Sequence, residues 1–329
     1  MKPTLKQPRP DVSRRTRGLK RITAEWLCAL LFFTYFLFYW ENNIIDVTSF
    51  EETDARIPDA LNELKIVHLS DLHGKSFGKN NIRLLRKIHK QDPDVIAVTG
   101  DLIDEYNPDL EYARKTIQRL TEIAPVFYVT GNHEAQFVDS LRGEFIELVR
   151  TSGAYVLDNA QVELTRDENG ALVITPFERA PERTPTSNSI LLAGICDPRA
   201  TYTSEIPLVK QYRKDADIVE DLLAEVPNKP EQYSILLTHR PEHFEKYADH
   251  KLDLVLAGHA HGGQFRIPYL LPNGLFAPDQ GFWPRYTGGR HVIDGTTEIV
   301  SRGLGPSVIP TRFFNRPNLV VCTLRTQEE

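Results

Sequence analysis

Leu64–Gly74 reads LKIVHLSDLHG, a short apolar run that stops at Asp71-Leu72-His73. The run has the length of a strand, and the segment after it, Asn81 to Lys90, spaces its apolar residues as a helix does. The same unit recurs twice: DVIAVTGD (94–101) precedes a helix-period segment over 110–122, and VFYVTGNHE (126–134) precedes one over 135–151. Three consecutive βα units predict an α/β fold with parallel strands joined by crossover helices. Further strands are read at 189–195, 233–239, 252–259, 296–301 and 318–324, with a hairpin and a surface excursion over 166–188.

Every one of five apolar runs ends in a group able to bind a metal. After Asp71 and His73 come Gly100-Asp101, Gly131-Asn132-His133-Glu134, His239, and Gly258-His259-Ala260-His261. In open α/β sheets the carboxyl ends of the strands share one edge, where ligands collect. Asp71, His73, Asp101, Asn132, His133, His239, His259 and His261 are therefore expected on one rim. A donor set of carboxylate, imidazole and amide without thiolate points to Mn²⁺ first, with Fe or Zn²⁺ as the alternatives. So many donors exceed the needs of one catalytic ion with open positions; they suit two ions about 3.5–4 Å apart that share a carboxylate. Asp101 is the candidate for that bridge. The glycines before Asp101, Asn132 and His259 read as sharp turns or close backbone approaches.

The other titratable residues carry no such pattern. His68 falls inside the first strand and reads as core, and His89, His243, His250 and His291 show no ligand spacing. Lys75, Phe77 and Asn80 lie near enough in sequence to line the site, and Arg240 follows a candidate ligand, where it can reach a phosphate or form a surface ion pair. The loop from Pro268 to Gly289 is rich in Pro, Gly and aromatic residues. It is either a self-packed cover or a surface for an apolar substrate tail or a bilayer.

Composition narrows the class. The chain has 329 residues, 41% apolar and 26% charged, which excludes a disordered or disulfide-scaffold protein. Its three cysteines, Cys28, Cys196 and Cys322, are too dispersed for a thiolate metal site and allow at most one bridge, Cys196 to Cys322. Residues 1–25 hold eight basic groups against two acidic ones, whereas the remainder holds 31 basic and 43 acidic. An acidic body disfavours polyphosphate backbones, so no nucleic-acid partner is expected.

The N-terminus sets the expected location. Trp26–Trp40, WLCALLFFTYFLFYW, follows the basic arm and has one residue, Thr34, outside the apolar set. As a helix it spans roughly 22 Å, short of the hydrocarbon core of about 30 Å unless flanking isoleucines extend it. The reading is a basic cytoplasmic arm (1–25), one transmembrane signal-anchor helix (26–45), a stalk (46–63) and an extracytoplasmic domain (64–329). No good cleavage site follows the apolar core, although Ser13-Arg14-Arg15 is similar to a twin-arginine export signal.

DLHG, GDLID, GNHE, a lone His after a strand and GHAHGGQ, in that order, resemble the calcineurin-like binuclear metallophosphoesterase superfamily over residues 64–325. GHAHGGQFRIP and SRGLGPSVIPTRFFNRPNL are similar to its bacterial membrane-associated or exported phosphodiesterase branch, which includes relatives acting on UDP-diacylglucosamine. The resemblance implies a four-layer αββα sandwich of two mixed β-sheets flanked by helices. It puts Asp71, His73, Asp101 and His261 on one ion, and Asp101, Asn132, His239 and His259 on the other. His133 becomes the catalytic histidine near the leaving group and Asp104 its paired acid, while Glu134 reads as a helix start. The implied reaction is in-line attack by a metal-bridging hydroxide on a phosphodiester or pyrophosphate, with an envelope lipid or cell-wall precursor as the expected substrate. The alternatives are a general phosphodiesterase or nucleotidase and, from another class, an inactive metal-binding interaction module at the membrane.

Overall fold

The structure is a computed structural model and describes residues 12–176, 188–201, 213–307, 309 and 311–327, with side chains from Glu25 onward. Residues 1–11 of the basic arm and 177–187 of the excursion expected before residue 188 thus lie outside the described residues. The chain opens with α1 (Val12–Asn43) and β1 (Asp46–Asp54). It continues through β2 (Lys65–Leu69), α2 (Ile82–Gln91), β3 (Val95–Thr99), α3 (Leu110–Thr121), β4 (Val126–Val129), the single turn α4 (Asn132–Ala135), α5 (Asp139–Thr151) and β5 (Tyr155–Val156). Strands β2 to β5 pair side by side in parallel, as the repeated βα units require.

The second half holds the hairpin β6 (Ala160–Arg166) and β7 (Leu172–Pro176), then β8 (Ile190–Gly194), α6 (Asp215–Ala224), β9 (Ser234–Leu237), α7 (Phe244–Asp249) and β10 (Leu254–Ala257). A small ribbon, β11 (Phe276–Ala277) with β12 (Gly281–Phe282), lies in the long loop before β13 (Gly289–Ile293), β14 (Thr296–Val300) and β15 (Asn318–Thr326). Two mixed sheets result, ordered β1-β15-β2-β3-β4-β5 and β13-β14-β10-β9-β8-β6-β7.

Alternation along the buried strands sorts side chains into separate cores. In β3, Ile96 and Val98 join Leu84, Ile88, Ile117, Leu120 and Phe145 of the helices on one face, while Val95 and Ala97 turn to the other sheet. There they meet Ile235, Leu237, Leu254 and Leu256 of β9 and β10. The opposite residues of those strands, Leu236 and Val255, pack against Val219, Leu223, Phe244 and Tyr247 of α6 and α7. Helices, sheet, sheet and helices are therefore stacked in four layers. The helices have local causes too: α3 is capped by Asp109, whose side chain accepts from Tyr112 N at 2.9 Å, and its buried Ala113, Ile117 and Leu120 recur at helical spacing.

Two expectations need correction. Residues 46–63 are no stalk: β1 is parallel to β15, and Ile57 and Leu61 are buried between the sheets. Because β1 is an edge strand, alternate residues stay exposed and its acids can be tolerated; Glu52 is buried against Arg290, Oε1 to Nε 2.7 Å. The N-terminal helix stops at Asn43, and Ile45, counted as part of the apolar segment, packs into the first core. Among the described residues no helix is long and apolar enough to cross a membrane, and every residue from Glu25 to Trp40 is exposed. The one bridge the sequence left open, Cys196 to Cys322, is absent, and all three cysteines are free.

Candidate metal centre

The carboxyl ends of β2, β3, β4, β9 and β10 meet at one edge between the two sheets, and the backbone there is unusual. Asp71, His73, Asp101, His259 and His261 all have positive φ, between 46° and 64°. Non-glycine residues adopt this region rarely and at some strain, which persists where the surroundings over-determine it. Here they do: Asp71 N donates to Gly100 O at 3.1 Å and His73 N to Asp101 O at 2.9 Å, so neighbouring turns hold one another. Gly100 has φ +80°, and a Cβ on it would strike the Gly131 backbone and come within 2.8 Å of the His239 ring. At Gly258 the need is close approach alone, because a Cβ there would collide with Ser70.

One carboxylate oxygen sits at the centre. Asp101 Oδ1 accepts from His133 N at 2.9 Å. Its Oδ2 is left facing His239 Nε2 at 3.3 Å, His73 Nε2 at 3.5 Å and His133 Nε2 at 3.9 Å. His261 Nε2 lies 3.2 Å from His73 Nε2 and 3.5 Å from Asp71 Oδ1, and Asn132 Oδ1 lies 3.0 Å from His239 Nε2. Asp71, His73, Asp101 and His261 form one donor group with ligand atoms within 4.8 Å of each other, and Asp101, His239 and His259 form another. Six of the eight residues placed on one rim by the sequence thus fall in two groups that share Asp101, and Asn132 and His133 lie beside them.

The electrostatics fit cations. Burial holds the imidazoles of His73 and His259 down to about 4 and about 3, so both rings offer lone pairs. His239 is the opposite case: burial opposes its charge, but Asp101, Asp71 and Asp197 outweigh it and lift it to about 10. Burial alone would raise Asp101, yet His239, His133 and His73 hold it well below the usual carboxylate range. In the metal-free arrangement a proton on His239 neutralises the carboxylates, as divalent ions would do more fully. Converging nitrogen and oxygen lone pairs with no thiolate match the donor set of two such ions.

Several residues stand differently from their sequence reading. His133 Nδ1 accepts from Glu105 N at 3.1 Å, whereas Asp104 Oδ2 is 3.7 Å away and Asp104 Oδ1 takes Tyr106 N at 2.9 Å. Asp104 therefore shapes the loop and is near His133 without a direct hydrogen bond to it. Glu134 does more than start a helix: fully buried, it accepts from Asp101 N at 2.9 Å, Leu102 N at 2.7 Å and Gly131 N at 3.0 Å, which fixes the turn carrying Asp101. Arg240 is neither exposed nor a phosphate contact; it is fully buried and paired with Asp197 and Asp279. Phe77 is core, and Lys75 donates to Asn42 O, so neither lines the cavity. His68 is buried against Thr99, Nε2 to Oγ1 2.7 Å, as a core histidine.

Sequence reasoning also missed Arg312, which is 4% exposed, donates to Gly305 O at 2.6 Å and lies 3.5 Å from His261 Nδ1. A cavity of about 550 Å³ opens at the cluster, lined by His73, His133 and His261 together with Tyr106, Arg199 and Ser307.

Comparison with known proteins adds the lineage. The family model described as calcineurin-like phosphoesterase matches residues 64–263, more than half of the chain. An uncharacterised metallophosphoesterase of Aquifex aeolicus (strain VF5) is 27% identical over 266 residues, which cover 80% of this chain and 85% of that one. The uncharacterised metallophosphoesterase YkuE of Bacillus subtilis (strain 168) is 27% identical over 294 residues, 88% of each chain. A protein from Danio rerio named transmembrane protein with metallophosphoesterase domain is 28% identical over 274 residues, 82% of this chain and 55% of its own.

Proposed function

The chain belongs to the calcineurin-like phosphoesterase family and is a metal-dependent phosphoesterase, and from that premise we propose that it hydrolyses a phosphodiester or pyrophosphate of an amphiphilic envelope substrate. The observation that carries the chemistry is Asp101 Oδ2, within 4 Å of three imidazoles contributed by three different strands. In this reading Asp71, His73, Asp101 and His261 hold one divalent ion, and Asp101, Asn132, His239 and His259 the other, with Mn²⁺ the first choice. Two such ions lower the pKa of water and neutralise charge on phosphoryl oxygens.

The remaining work falls to the protein. Glu105 N–H fixes the lone pair of His133 on Nδ1, so the ring carries its proton on Nε2, the nitrogen that faces Asp101. From there it donates a hydrogen bond to a phosphoryl or departing oxygen. Asp104 lies beside this ring, its Oδ2 3.7 Å from Nδ1.

The lipid part of the reading rests on α1 and what it touches. A helix apolar on every face is ordinarily buried, yet Trp26 to Trp40 are exposed all round. We read it as the attachment to a bilayer, its length made up by flanking residues and by local thinning of the bilayer, with the basic arm on the cytoplasmic side and the domain outside. The Danio rerio relative's name is in keeping with this. Asn42 at the end of α1 accepts from Arg312 N at 2.8 Å, and Arg312 reaches His261. Next to it Phe313 and Phe314 are exposed, as are Tyr269, Leu270, Phe282 and Trp283 of the long loop. That loop is a cover, since Tyr286 and Ala277 are buried, but its tip remains apolar.

The test is hydrolysis by the full-length protein loaded with Mn²⁺, offered lipid-linked pyrophosphates in vesicles, glycerophosphodiesters, cyclic nucleotides and nucleotides. Preferential turnover of the vesicle-borne substrates is expected. Faster turnover of soluble nucleotides would replace the lipid reading with a nucleotidase, and no turnover with both ions bound would leave an inactive binding module.

A further inference from the structure

The loop from Pro268 to Gly289 supplies no member of the two donor groups, yet one of its side chains reaches the cluster. Asp279 has φ +57° and sets Oδ2 2.9 Å from His259 Nε2. The same oxygen accepts from Arg240 Nη1, and Oδ1 accepts from Arg199 Nη2 at 3.1 Å. Arg240 is in turn paired with the buried Asp197 and lies 3.3 Å from Glu242 Oε1. The carboxylate is thus held by two arginines before it meets the ring, unlike a solvated loop acid.

A neutral imidazole carries one N–H and one lone pair. With a carboxylate oxygen in hydrogen-bond reach of Nε2, the proton belongs on Nε2 and the lone pair on Nδ1. The His259 backbone is fixed separately, because its N–H donates to Asp71 Oδ1 at 3.1 Å. What remains free is rotation of the ring, and Asp279 sets it. Nδ1 is then the nitrogen available to the group that His259 forms with Asp101 and His239.

We propose that Asp279 is a positioning residue for the second ion: it holds the Nε2–H tautomer of His259, turns Nδ1 toward Asp101 and His239, and so latches the long loop to the metal centre. The inference rests on the two-ion reading of the site. Arg199 acts through Asp279, whereas Arg240 also lies against the ring itself, Nη1 to His259 Nε2 3.2 Å, so that the carboxylate and the guanidinium meet at the same nitrogen.

The experiment compares the wild-type full chain with Asp279→Ala and Asp279→Asn, each with ¹⁵N-labelled histidine. In the metal-free proteins, long-range ¹⁵N spectra should show His259 protonated on Nε2 in the wild type, mixed in Asp279→Ala, and restored in Asp279→Asn, whose amide oxygen still accepts. In calorimetric titration with Mn²⁺ alone, Asp279→Ala should weaken one of two sites by about 10- to 100-fold. The other site should stay as in the wild type, the metal-free melting temperature should fall only slightly because Arg240 keeps Asp197, and Asp279→Asn should bind nearly normally. Unchanged tautomer and unchanged affinities would overturn the proposal, as would equal weakening of both sites with a fall in melting temperature, which marks a packing role. A wild-type protein that binds no cation would instead refute the two-ion reading beneath it.

Discussion

The two halves of the donor cluster are held by different means. Asp71, His73, Asp101 and Asn132 stand on turns that leave adjacent strands of one sheet; the first turn bonds to the second through backbone, and the second to the third through the Glu134 and Asp101 carboxylates. His239, His259 and His261 come from the other sheet and are oriented mainly from outside: His239 Nδ1 by Thr99 O at 2.7 Å, His259 Nε2 by Asp279 at 2.9 Å, and His261 with Arg312 at 3.5 Å from Nδ1. The first half is built by local backbone and fails through its own ligands. The second depends on buried arginines and distant loops, and fails through its supports.

Substitution of the shared residue gives the largest expected effect, because it belongs to both halves. Asp101→Asn should abolish binding of both ions, measured by Mn²⁺ calorimetry, and lower kcat/KM at least about 10³-fold, or about 4 kcal/mol of barrier. Loss of one ion only would show that the halves are less coupled than the geometry implies. His133→Gln comes next. The ring lies beside both groups without belonging to the shared pair, so both ions should stay while kcat falls about 10²- to 10⁴-fold; near-normal turnover would remove His133 from the chemistry.

The same contrast explains what could be read in advance. Asp71, Asp101 and Asn132 follow apolar runs within a few residues, so a local pattern marks them, and the parallel order of the strands brings them together. The histidines of the second sheet were legible for the same reason. Their supports were not: Asp279 lies in an irregular loop without a period, and Arg312 is one of several arginines in a segment with no strand signal. Nothing local distinguishes a buried arginine from a solvated one. Glu134 looked like an ordinary first-turn acid because its partners, Asp101 N and Leu102 N, are some thirty residues earlier. β1 was missed because it pairs with β15, at the far end of the chain, and shows only one face to the core. Hydropathy period sees faces and local caps; it does not see which distant backbone an acid will bond.

The supports of the second half can be broken without substituting a ligand, although Arg240 also lies 3.2 Å from His259 Nε2. Arg240→Met leaves the buried Asp197 without its main counter-charge and Asp279 without one of its two, and breaking a buried pair from one side costs about 3–5 kcal/mol. The urea midpoint should fall accordingly, with the second ion weakened more than the first. An equal loss at both sites would mean that the two halves share their supports after all.

The smallest effect is expected where α1 meets the domain. Asn42 exchanges two hydrogen bonds with Arg312, Arg312 N to Oδ1 at 2.8 Å and Nδ2 to Arg312 O at 3.3 Å, across a partly exposed contact. Asn42→Ala should cost about 1 kcal/mol, visible as a drop of about 1–3 °C in melting temperature, with turnover of a soluble diester changed less than about two-fold. Arg312 keeps its bonds to Gly305 O and Arg302 O, so His261 should hold its place. If vesicle-borne substrate loses more turnover than the soluble diester, α1 positions the domain over the bilayer as well as attaching it. If both fall together, the contact supports His261 directly, and the second half of the cluster extends to the N-terminal helix.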